Sequence, residues 1–462
     1  MPTETAYEDP PASFWPRVRE FAVPPSMIET ATARRRAGDW AGACAAAGFD
    51  VDLNPRLLAH THGRELATRV RDDLRALAPD LLRWHMPRTA PHGLLRPGLT
   101  VALARYEGAG RGGAEHPAHL VVRTAPAWAD AGQRIDLALW DGARDDPGAR
   151  RHPHPHPDRR FRLDLHRHLW DARRAGELRI RSAGRAREGE RHAAVDRWAD
   201  EAGILLRAEG RTAGRVVVRL GARDLLLLDV APRRAAAGAA GVAGGDGRPA
   251  WRIVGSAAVS AADPALPVLP DAATWEPPDL ALLRTGAIDP GRLHPLVARA
   301  LVPDHAPTAP SPAPPDPPGA PHRVSCRGAE HRIALVDGVL AALDHDPAEL
   351  RREELLVALT GTPLPCLRAI DTAHRRPDCI TGVRERLRHG DVAGALAVVE
   401  GLLGTEAVLR DGALRDELEA AARQRVVHGL FRAGLTGPAP GNGVFAPYGA
   451  RPRPRRTSTR RT

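Results

Sequence analysis

The residues best suited to chemistry in this 462-residue chain lie in the segment Phe161-Arg-Leu-Asp-Leu-His-Arg-His168. Asp164, His166 and His168 alternate along it, so on a β-strand all three side chains would share one face. Imidazole nitrogens and carboxylate oxygens are common ligands of zinc and iron. The spacing makes these three residues candidate metal ligands, and a metal-dependent hydrolase that uses His166 and His168 is one hypothesis for the chain.

This Asp-x-His-x-His pattern resembles the first metal-binding strand of amidohydrolase-type barrels. The resemblance implies repeating β-α units downstream, whereas the sequence there is rich in predicted strands and is interrupted by prolines. A bridging lysine, present in many members, is impossible because all 66 basic residues are arginine. If the segment is helical, the two histidines point apart by about 200°. We therefore expect no metal and no cofactor, with the histidines on an exposed polar face.

Other groups of metal-binding residue types have unsuitable spacing. The tract Arg151-His-Pro-His-Pro-His-Pro157 is predicted to be a solvated loop, because an extended backbone supplies no preformed set of ligands. In the C-terminal region no pair of candidate ligands has the two-residue spacing of a zinc knuckle. These candidates are Cys326, His331, Cys366, His374 and Cys379. We expect Cys366 and Cys379 to be buried core residues.

Several catalytic classes are excluded or lack support. Without lysine the chain cannot form a Schiff base, a P-loop lysine contact or a protein-kinase lysine contact. The glycines at 108, 110 and 113 match the dinucleotide fingerprint, but a predicted strand follows them instead of a helix. Gly-x-Ser-x-Gly and His-Glu-x-x-His do not occur. No residue is predicted to be catalytic, and the chain is more consistent with a non-enzyme.

The positive charge is concentrated at the C-terminus. The net charge is +10, and six units of it come from a terminal segment without acidic residues, while the rest of the chain is nearly balanced. These six residues are Arg451, Arg453, Arg455, Arg456, Arg460 and Arg461. Such a tail can bind polyanions weakly and without sequence preference. A nucleic-acid-associated protein is therefore a further hypothesis. The use of arginine alone is typical of a GC-rich bacterial genome.

Cysteine content and hydropathy indicate the compartment. Four cysteines in 462 residues do not make a disulfide framework, so reduced thiols are expected. The N-terminus has no basic region followed by an apolar one, and no apolar run approaches the ~18 residues that span a bilayer. These features predict a soluble cytoplasmic protein without a membrane partner.

The pattern of apolar residues predicts an α+β protein with a helical N-terminal region. Residues 1–24 are expected to form an extended arm, and residues 25–98 a helical region. Gly38 ends one helix there and Asp39 caps the next. Asn54-Pro55 opens a long helix that continues to Pro79.

Residues 99–302 are predicted to form a mostly antiparallel, strand-rich central domain with closing helices. Its central feature is a hairpin within 215–230, where four consecutive leucines, 225–228, are expected to be buried on both faces. A mobile loop is expected at 235–247. The other predicted strands are 100–106, 119–124, 134–141, 161–166, 177–182, 204–209 and 251–259.

Residues 303–321 are dominated by proline and alanine and are predicted to be a disordered linker. Residues 322–434 then form a β-meander plus helices, because Asp337-Gly338 is a strong hairpin signal and Asp346-Pro347 opens a helix. Residues 435–462 are predicted to be a disordered, arginine-rich tail.

Residues 36–45 and 388–397 share the pattern Arg-x-Gly-Asp-x-Ala-Gly-Ala-x-Ala. Over these ten residues the chain resembles the inter-helix turn of helical-hairpin repeat proteins. Two distant copies are not a solenoid, and a coincidence of alanine-rich caps is the alternative. Gly390 and Asp391 fix the angle between two helices that could present a surface. The leading hypothesis is therefore a non-catalytic protein-interaction or accessory protein of two tethered modules, whose partner is a protein.

Overall fold

The computed structural model describes residues 14–107, 117–129, 133–142, 152–182, 193–233, 251–305, 322–326, 328–360, 364–437 and 446–447. It is 46% helical and 21% strand, with sheets of mainly antiparallel strands, and this confirms the α+β class. Among the described residues no helix has the length and apolar character needed to cross a bilayer.

The helices of the described residues are α1 (Trp15–Phe21), α2 (Pro25–Arg36), α3 (Trp40–Ala46), α4 (Pro55–His62), α5 (Arg64–Ala76), α6 (Pro79–His85), α7 (Glu177–Ser182), α8 (Trp198–Ala208), α9 (Asp271–Thr274), α10 (Pro278–Arg284), α11 (Pro295–Leu301), α12 (Pro347–Thr360), α13 (Pro365–Arg375), α14 (Ile380–Arg388), α15 (Val392–Leu403) and α16 (Ala413–Arg432). The strands are β1 (Phe49–Asp52), β2 (Arg88–Thr89), β3 (Leu94–Leu95), β4 (Thr100–Tyr106), β5 (Ala118–Thr124), β6 (Ile135–Trp140), β7 (Gly214–Arg219), β8 (Leu225–Pro232), β9 (Trp251–Val259), β10 (His322–Cys326), β11 (Ala329–Val336), β12 (Val339–Ala342), β13 (Thr436–Gly437) and β14 (Ala446–Pro447).

The largest core lies between the N-terminal helices and a four-stranded sheet. The strand order is β1-β6-β5-β4, with β1 parallel to β6 and the other neighbours antiparallel. Phe14, Trp84 and Trp170 are among its fully buried side chains. The helical region and the first three predicted strands of the middle therefore share one core.

The hairpin predicted within 215–230 is confirmed as β7 and β8, and β9 completes an antiparallel three-stranded sheet. It does not lie at the centre of the main core, because α8 covers the sheet and forms a second, smaller apolar cluster with it. Leu228 is buried, whereas Leu225 to Leu227 are only half-buried. The expectation that all four leucines are buried on both faces is therefore wrong.

The C-terminal region has the predicted meander, β10-β11-β12, followed by α12 to α16. Asp337 and Gly338, both at positive φ, form the turn between β11 and β12. The meander packs against α13 through Cys326, Ile333 and Ile370. The remaining helices form their own apolar cluster around Val383, Val399 and Leu414.

Three predicted strands are wrong. Segment 161–166 is irregular because the buried indole of Trp170 donates to Leu163 O at 3.0 Å and folds the chain back. Segment 177–182 is helix α7, in which Leu178 and Ser182 are buried while Ile180 is exposed. Segment 204–209 lies largely in α8, whose buried residues recur at helical spacing. In the two helical segments an apolar run is too short to separate the two periodicities.

Further differences concern helix boundaries and the termini. Residues 15–21 are helical instead of an extended arm, because Pro16 occupies the first helical turn. The long helix after Asn54 is interrupted at Gly63, which has φ +89°. Strand β1 was not predicted. Residues 306–321 of the linker, the loop 235–247 and the tail 451–462 lie outside the described residues, so the domain boundaries remain predictions.

Candidate functional site

The two histidines singled out in the sequence line one buried cavity, together with His85. His166 precedes the 3-10 turn Arg167–Leu169, His168 lies within that turn, and His85 ends α6. The cavity holds about 50 Å³ of space for water-sized molecules. Its other lining residues include apolar ones, such as Phe161 and Trp275, and charged ones, such as Arg160 and Arg181. His166 and His168 are 2% and 3% exposed, so the expected exposed polar face is wrong.

Hydrogen bonds fix the tautomers of two of these histidines. Nδ1 of His85 lies 3.1 Å from Leu81 O and 3.2 Å from Leu169 O, and Nδ1 of His166 lies 3.1 Å from Arg162 O. A carbonyl only accepts, so Nδ1 carries the proton in both rings. The Nε2 atoms of both rings are buried and make no regular hydrogen bond with the described residues.

Burial favours the neutral form of two histidines of this cavity. It lowers the pKa of His85 to about 4. Burial, followed by the charge of Arg181, lowers the pKa of His168 well below its ordinary value. At neutral pH these imidazoles are uncharged and their free lone pairs can accept a hydrogen bond or bind a metal.

The carboxylate beside these histidines is already engaged. Glu201 forms a bidentate ion pair with Arg181 and a second one with Arg197 at 3.1 Å, while Nε2 of His166 lies 3.3 Å away. Burial alone would raise the pKa of Glu201, but these neighbours outweigh it and hold the pKa well below its usual range. Glu201 is therefore poorly suited to act as a general base.

Asp164 does not join the histidines. Its carboxylate pairs with Arg162 at 2.7 and 3.1 Å and does not line the histidine cavity. Among the described residues, groups of three metal-ligand types with ligand atoms within 4.8 Å of one another occur in two places, and neither contains His166, His168 or Asp164. The grouping of these three residues as one ligand set is therefore wrong.

The repeated ten-residue pattern forms the same helical hairpin twice. Gly38 and Gly390 have φ of +78° and +86°. Asp39 Oδ1 accepts from Gly42 N at 2.8 Å, and Asp391 Oδ1 accepts from Gly394 N at 2.9 Å. An arginine five residues earlier pairs with each aspartate. We call α2–α3 the first hairpin and α14–α15 the second.

The glycine after each cap is required by the cap itself. A Cβ on Gly42 would lie 2.1 Å from Asp39 Oδ2, and one on Gly394 would lie 2.2 Å from Asp391 Oδ2. Any larger residue would displace the capping carboxylate. The shared residues therefore form the same capped turn in both places. A chance likeness in sequence would not predict this shared geometry.

The two hairpins form opposite walls of one cleft. The cleft holds about 360 Å³, and its lining includes Ala45 from α3, Gly390 and Ala393 from the second hairpin, and Arg425 from α16. Ala45, Ala393 and Arg425 are exposed. Gly390 and Asp391, predicted as interaction residues, line this cleft. We call it the hairpin cleft.

Arg83 of α6 joins the two walls. Its side chain is buried and donates to Ala22 O at 3.0 Å, Ala47 O at 3.4 Å, Gln133 O at 2.7 Å and His389 O at 2.8 Å. Burial lowers its pKa to about 10, which still leaves it charged at neutral pH. One cation therefore binds the end of α3 and the turn of the second hairpin.

A network of charged residues fixes α16 against the main sheet. Asp50 of β1 accepts from Arg134 at 2.6 and 2.7 Å and from His428 at 3.0 Å. Arg432 pairs with Asp52 and Asp136. Asp50, Asp136 and His428 form one of the two groups of possible metal ligands, but arginines already neutralise both carboxylates. The C-terminal region thus contacts the body directly.

Sequence reasoning missed Arg83, His85 and Glu201. Arg83 and His85 lie in the short helix α6, and Glu201 lies in α8, whose second half was predicted as a strand. Only the contacts between distant segments identify them. The tail arginines, 451 to 461, lie outside the described residues. The chain has no significant match to any protein-family model, curated protein or solved structure.

Proposed function

We propose that this chain is a non-catalytic protein-interaction protein that binds an extended segment of a partner protein in the hairpin cleft. The observation that carries the proposal is the pairing of two hairpins of the same geometry around an open cleft. Helical hairpins of this kind offer surfaces more often than reactive groups. The linker predicted at 303–321 supports the same conclusion, since it allows the C-terminal region to be displaced without chain breakage.

The lining of the cleft indicates the chemistry of its occupant. Small residues, Ala45, Gly390 and Ala393, allow a backbone to approach closely. Arg425 is exposed, and no carboxylate of the described residues pairs with it. Charge complementarity therefore favours a partner segment that carries an acidic side chain.

The repeat supplies matched test variants. Ala393 lines the cleft, whereas Ala41, at the same position of the first hairpin, is exposed outside it. Likewise Ala45 lines the cleft and its counterpart Ala397 does not. We expect Ala393→Arg and Ala45→Arg to lose a partner that the wild-type chain recovers from the native host. Ala41→Arg and Ala397→Arg should retain it.

The partner is then identified and titrated with the purified full-length variants. We expect at least a tenfold loss of affinity for the two cleft variants. Equal affinity of all four variants would contradict the cleft as the binding site. Turnover of a small molecule by a chain that recovers no partner would contradict a non-catalytic function altogether.

A metal-dependent hydrolase is the second candidate, because three histidines line one cavity. Two of them hold Nδ1–H against backbone carbonyls, as metal-binding histidines commonly do. If this candidate is correct, purified protein contains about one metal per chain that His166→Ala and His168→Ala remove. Under our first proposal these changes leave partner binding unaltered, and elemental analysis separates the two.

Binding of nucleic acid through the tail is a separate candidate, favoured only by the six terminal arginines. Their contacts would release about five counterions, so the affinity for DNA should fall steeply with salt. Removal of residues 451–462 should abolish this binding. Sequence-selective binding by the shortened chain would instead favour a nucleic-acid function of the body.

A further inference from the structure

Three residues from separate segments of the C-terminal region converge on one point. Cys326 ends β10, His345 follows β12, and Cys366 is the second residue of α13. One ligand atom from each lies within 4.8 Å of the other two. The cluster therefore joins the meander to the first helix that packs against it.

The side chains of the cluster are buried and offer ligand atoms that a metal ion could bind. Cys326 and Cys366 are 1% and 0% exposed, and both thiols are unoxidised. Nε2 of His345 is buried and has no hydrogen-bond partner among the described residues. A buried imidazole nitrogen without a partner costs free energy unless it is satisfied in another way.

The neighbouring histidine holds the His345 ring in place. His331 stacks on it with ring centroids 4.3 Å apart and planes inclined by only 12°. The nearby carboxylate of Asp344 is occupied by Arg332, whose guanidinium and backbone N–H both donate to it. Because Asp344 is engaged by Arg332, the two thiols and the imidazole are the remaining groups at this point that can bind an ion.

The two groups of possible metal ligands differ in the partners of their side chains. At Asp50, Asp136 and His428 each carboxylate is paired with an arginine. At Cys326, His345 and Cys366 the ligand atoms are two thiols and an imidazole, and the nearby Arg332 is paired with Asp344. Thiolates and imidazole are the ligands that Zn²⁺ prefers, in tetrahedral geometry.

We infer that Cys326, His345 and Cys366 bind one Zn²⁺ ion, with a water molecule in the fourth position. The ion would tie together three segments that are distant in sequence. A three-stranded meander is too small to be stable alone, so this cross-link would stabilise the C-terminal region. This inference does not depend on the function proposed for the hairpin cleft.

Cobalt provides a spectroscopic test with the reduced full-length chain. Co²⁺ is titrated into metal-free protein, and sulfur-to-cobalt charge-transfer absorption is measured together with the visible bands of tetrahedral cobalt. We expect saturation at about one equivalent, since the described residues contain one cluster of two cysteines and a histidine. Excess Zn²⁺ should displace the cobalt and abolish both signals.

The variants Cys326→Ser, Cys366→Ser and His345→Gln should each weaken Zn²⁺ binding at least tenfold. Cys379→Ser is the matched control, because Cys379 lies in the same region but outside the cluster. Equal binding by wild type and Cys326→Ser, or no cobalt signal from the reduced wild type, would overturn the inference.

A second measurement keeps the test valid if a variant folds poorly. Thermal unfolding is followed with a chelator and with added Zn²⁺. The ion should raise the Tm of the wild type and of Cys379→Ser, and it should leave the three cluster variants unchanged. A disulfide between Cys326 and Cys366 that forms in preference to metal binding, with no Zn²⁺ effect on the reduced chain, would also overturn it.

Discussion

The first and second hairpins have the same turn but different surroundings. In the first, Ala37 and Gly38 are exposed, and nothing lies within 4 Å of a Cβ on Gly38. In the second, the equivalent of Ala37 is His389, which is 1% exposed, and its carbonyl accepts from Arg83. The local motif therefore sets the turn, while the residue before the glycine and its contacts decide whether the turn faces solvent or joins two parts of the chain.

The largest expected effect comes from removing the contact that distinguishes the second hairpin. Arg83→Met should lower the free energy of unfolding by about 3–5 kcal/mol, because several hydrogen bonds from one buried charged donor are lost together. Urea unfolding measures this. Limited proteolysis should also show faster cleavage near the second hairpin than near the first. Equal protection of both hairpins in the variant would contradict a special role of Arg83 at the second hairpin.

Acidification should affect the second hairpin more than the first. Burial, and then the charges of Arg88 and Arg83, lower the pKa of His389 to about 3. Between pH 6.5 and this value the unfolded chain takes up a proton that the folded chain does not. Stability is therefore full above pH 6.5 and falls as the pH drops, by about 2 kcal/mol at pH 5 for this residue.

The variant His389→Ala places in the second hairpin the alanine that the first hairpin has at position 37. Its stability should fall less steeply between pH 7 and pH 5 than that of the wild type. Urea unfolding at both pH values gives the slope, which is independent of any constant loss from the smaller side chain. His85 also contributes in the wild type and the variant alike, since burial lowers its pKa to about 4. An unchanged slope would mean that His389 is not buried in this way.

Removal of the helix caps should give a smaller difference between the hairpins. Asp391→Ala should cost about 1.5–2 kcal/mol and Asp39→Ala about 0.5–1 kcal/mol, within the usual range for a capping residue. The reason is burial, since the Asp391 side chain is 7% exposed and that of Asp39 is 39% exposed. Thermal unfolding of the two variants tests the order. A larger loss of stability for Asp39→Ala than for Asp391→Ala would show that burial does not set the contribution of the capping residue.

The smallest effect is expected from the reciprocal exchange. Ala37→His places the residue of the second hairpin on an exposed turn, so stability should change by less than about 0.5 kcal/mol. Its dependence on pH should match that of the wild type. A new pH dependence in urea unfolding would show that the motif itself, and not its surroundings, lowers the pKa of the histidine.

The elements predicted best are those with signals in their own residues. The helix caps at Asp39 and Asn54 and the hairpin at Asp337-Gly338 depend on contacts within about four residues. The strand predictions at 161–166 and 204–209 failed because residues outside these segments set their structure. The hydrogen bond from Trp170 accompanies an irregular fold at 161–166, and most of 204–209 continues the helix that begins at Trp198. The candidate residues divide similarly: the turn at Gly390 and Asp391 was predicted, whereas Arg83 and Glu201 were not.

The sequence by itself determined the α+β class, the two hairpin turns and the absence of lysine chemistry, because composition and short-range capping are independent of the rest of the chain. Only the tertiary structure placed His85 beside His166 and His168, separated Asp164 from them, and brought Cys326, His345 and Cys366 together. These groupings depend on contacts between segments that are tens of residues apart. Their free energy comes from burial in a shared core, which no local pattern records.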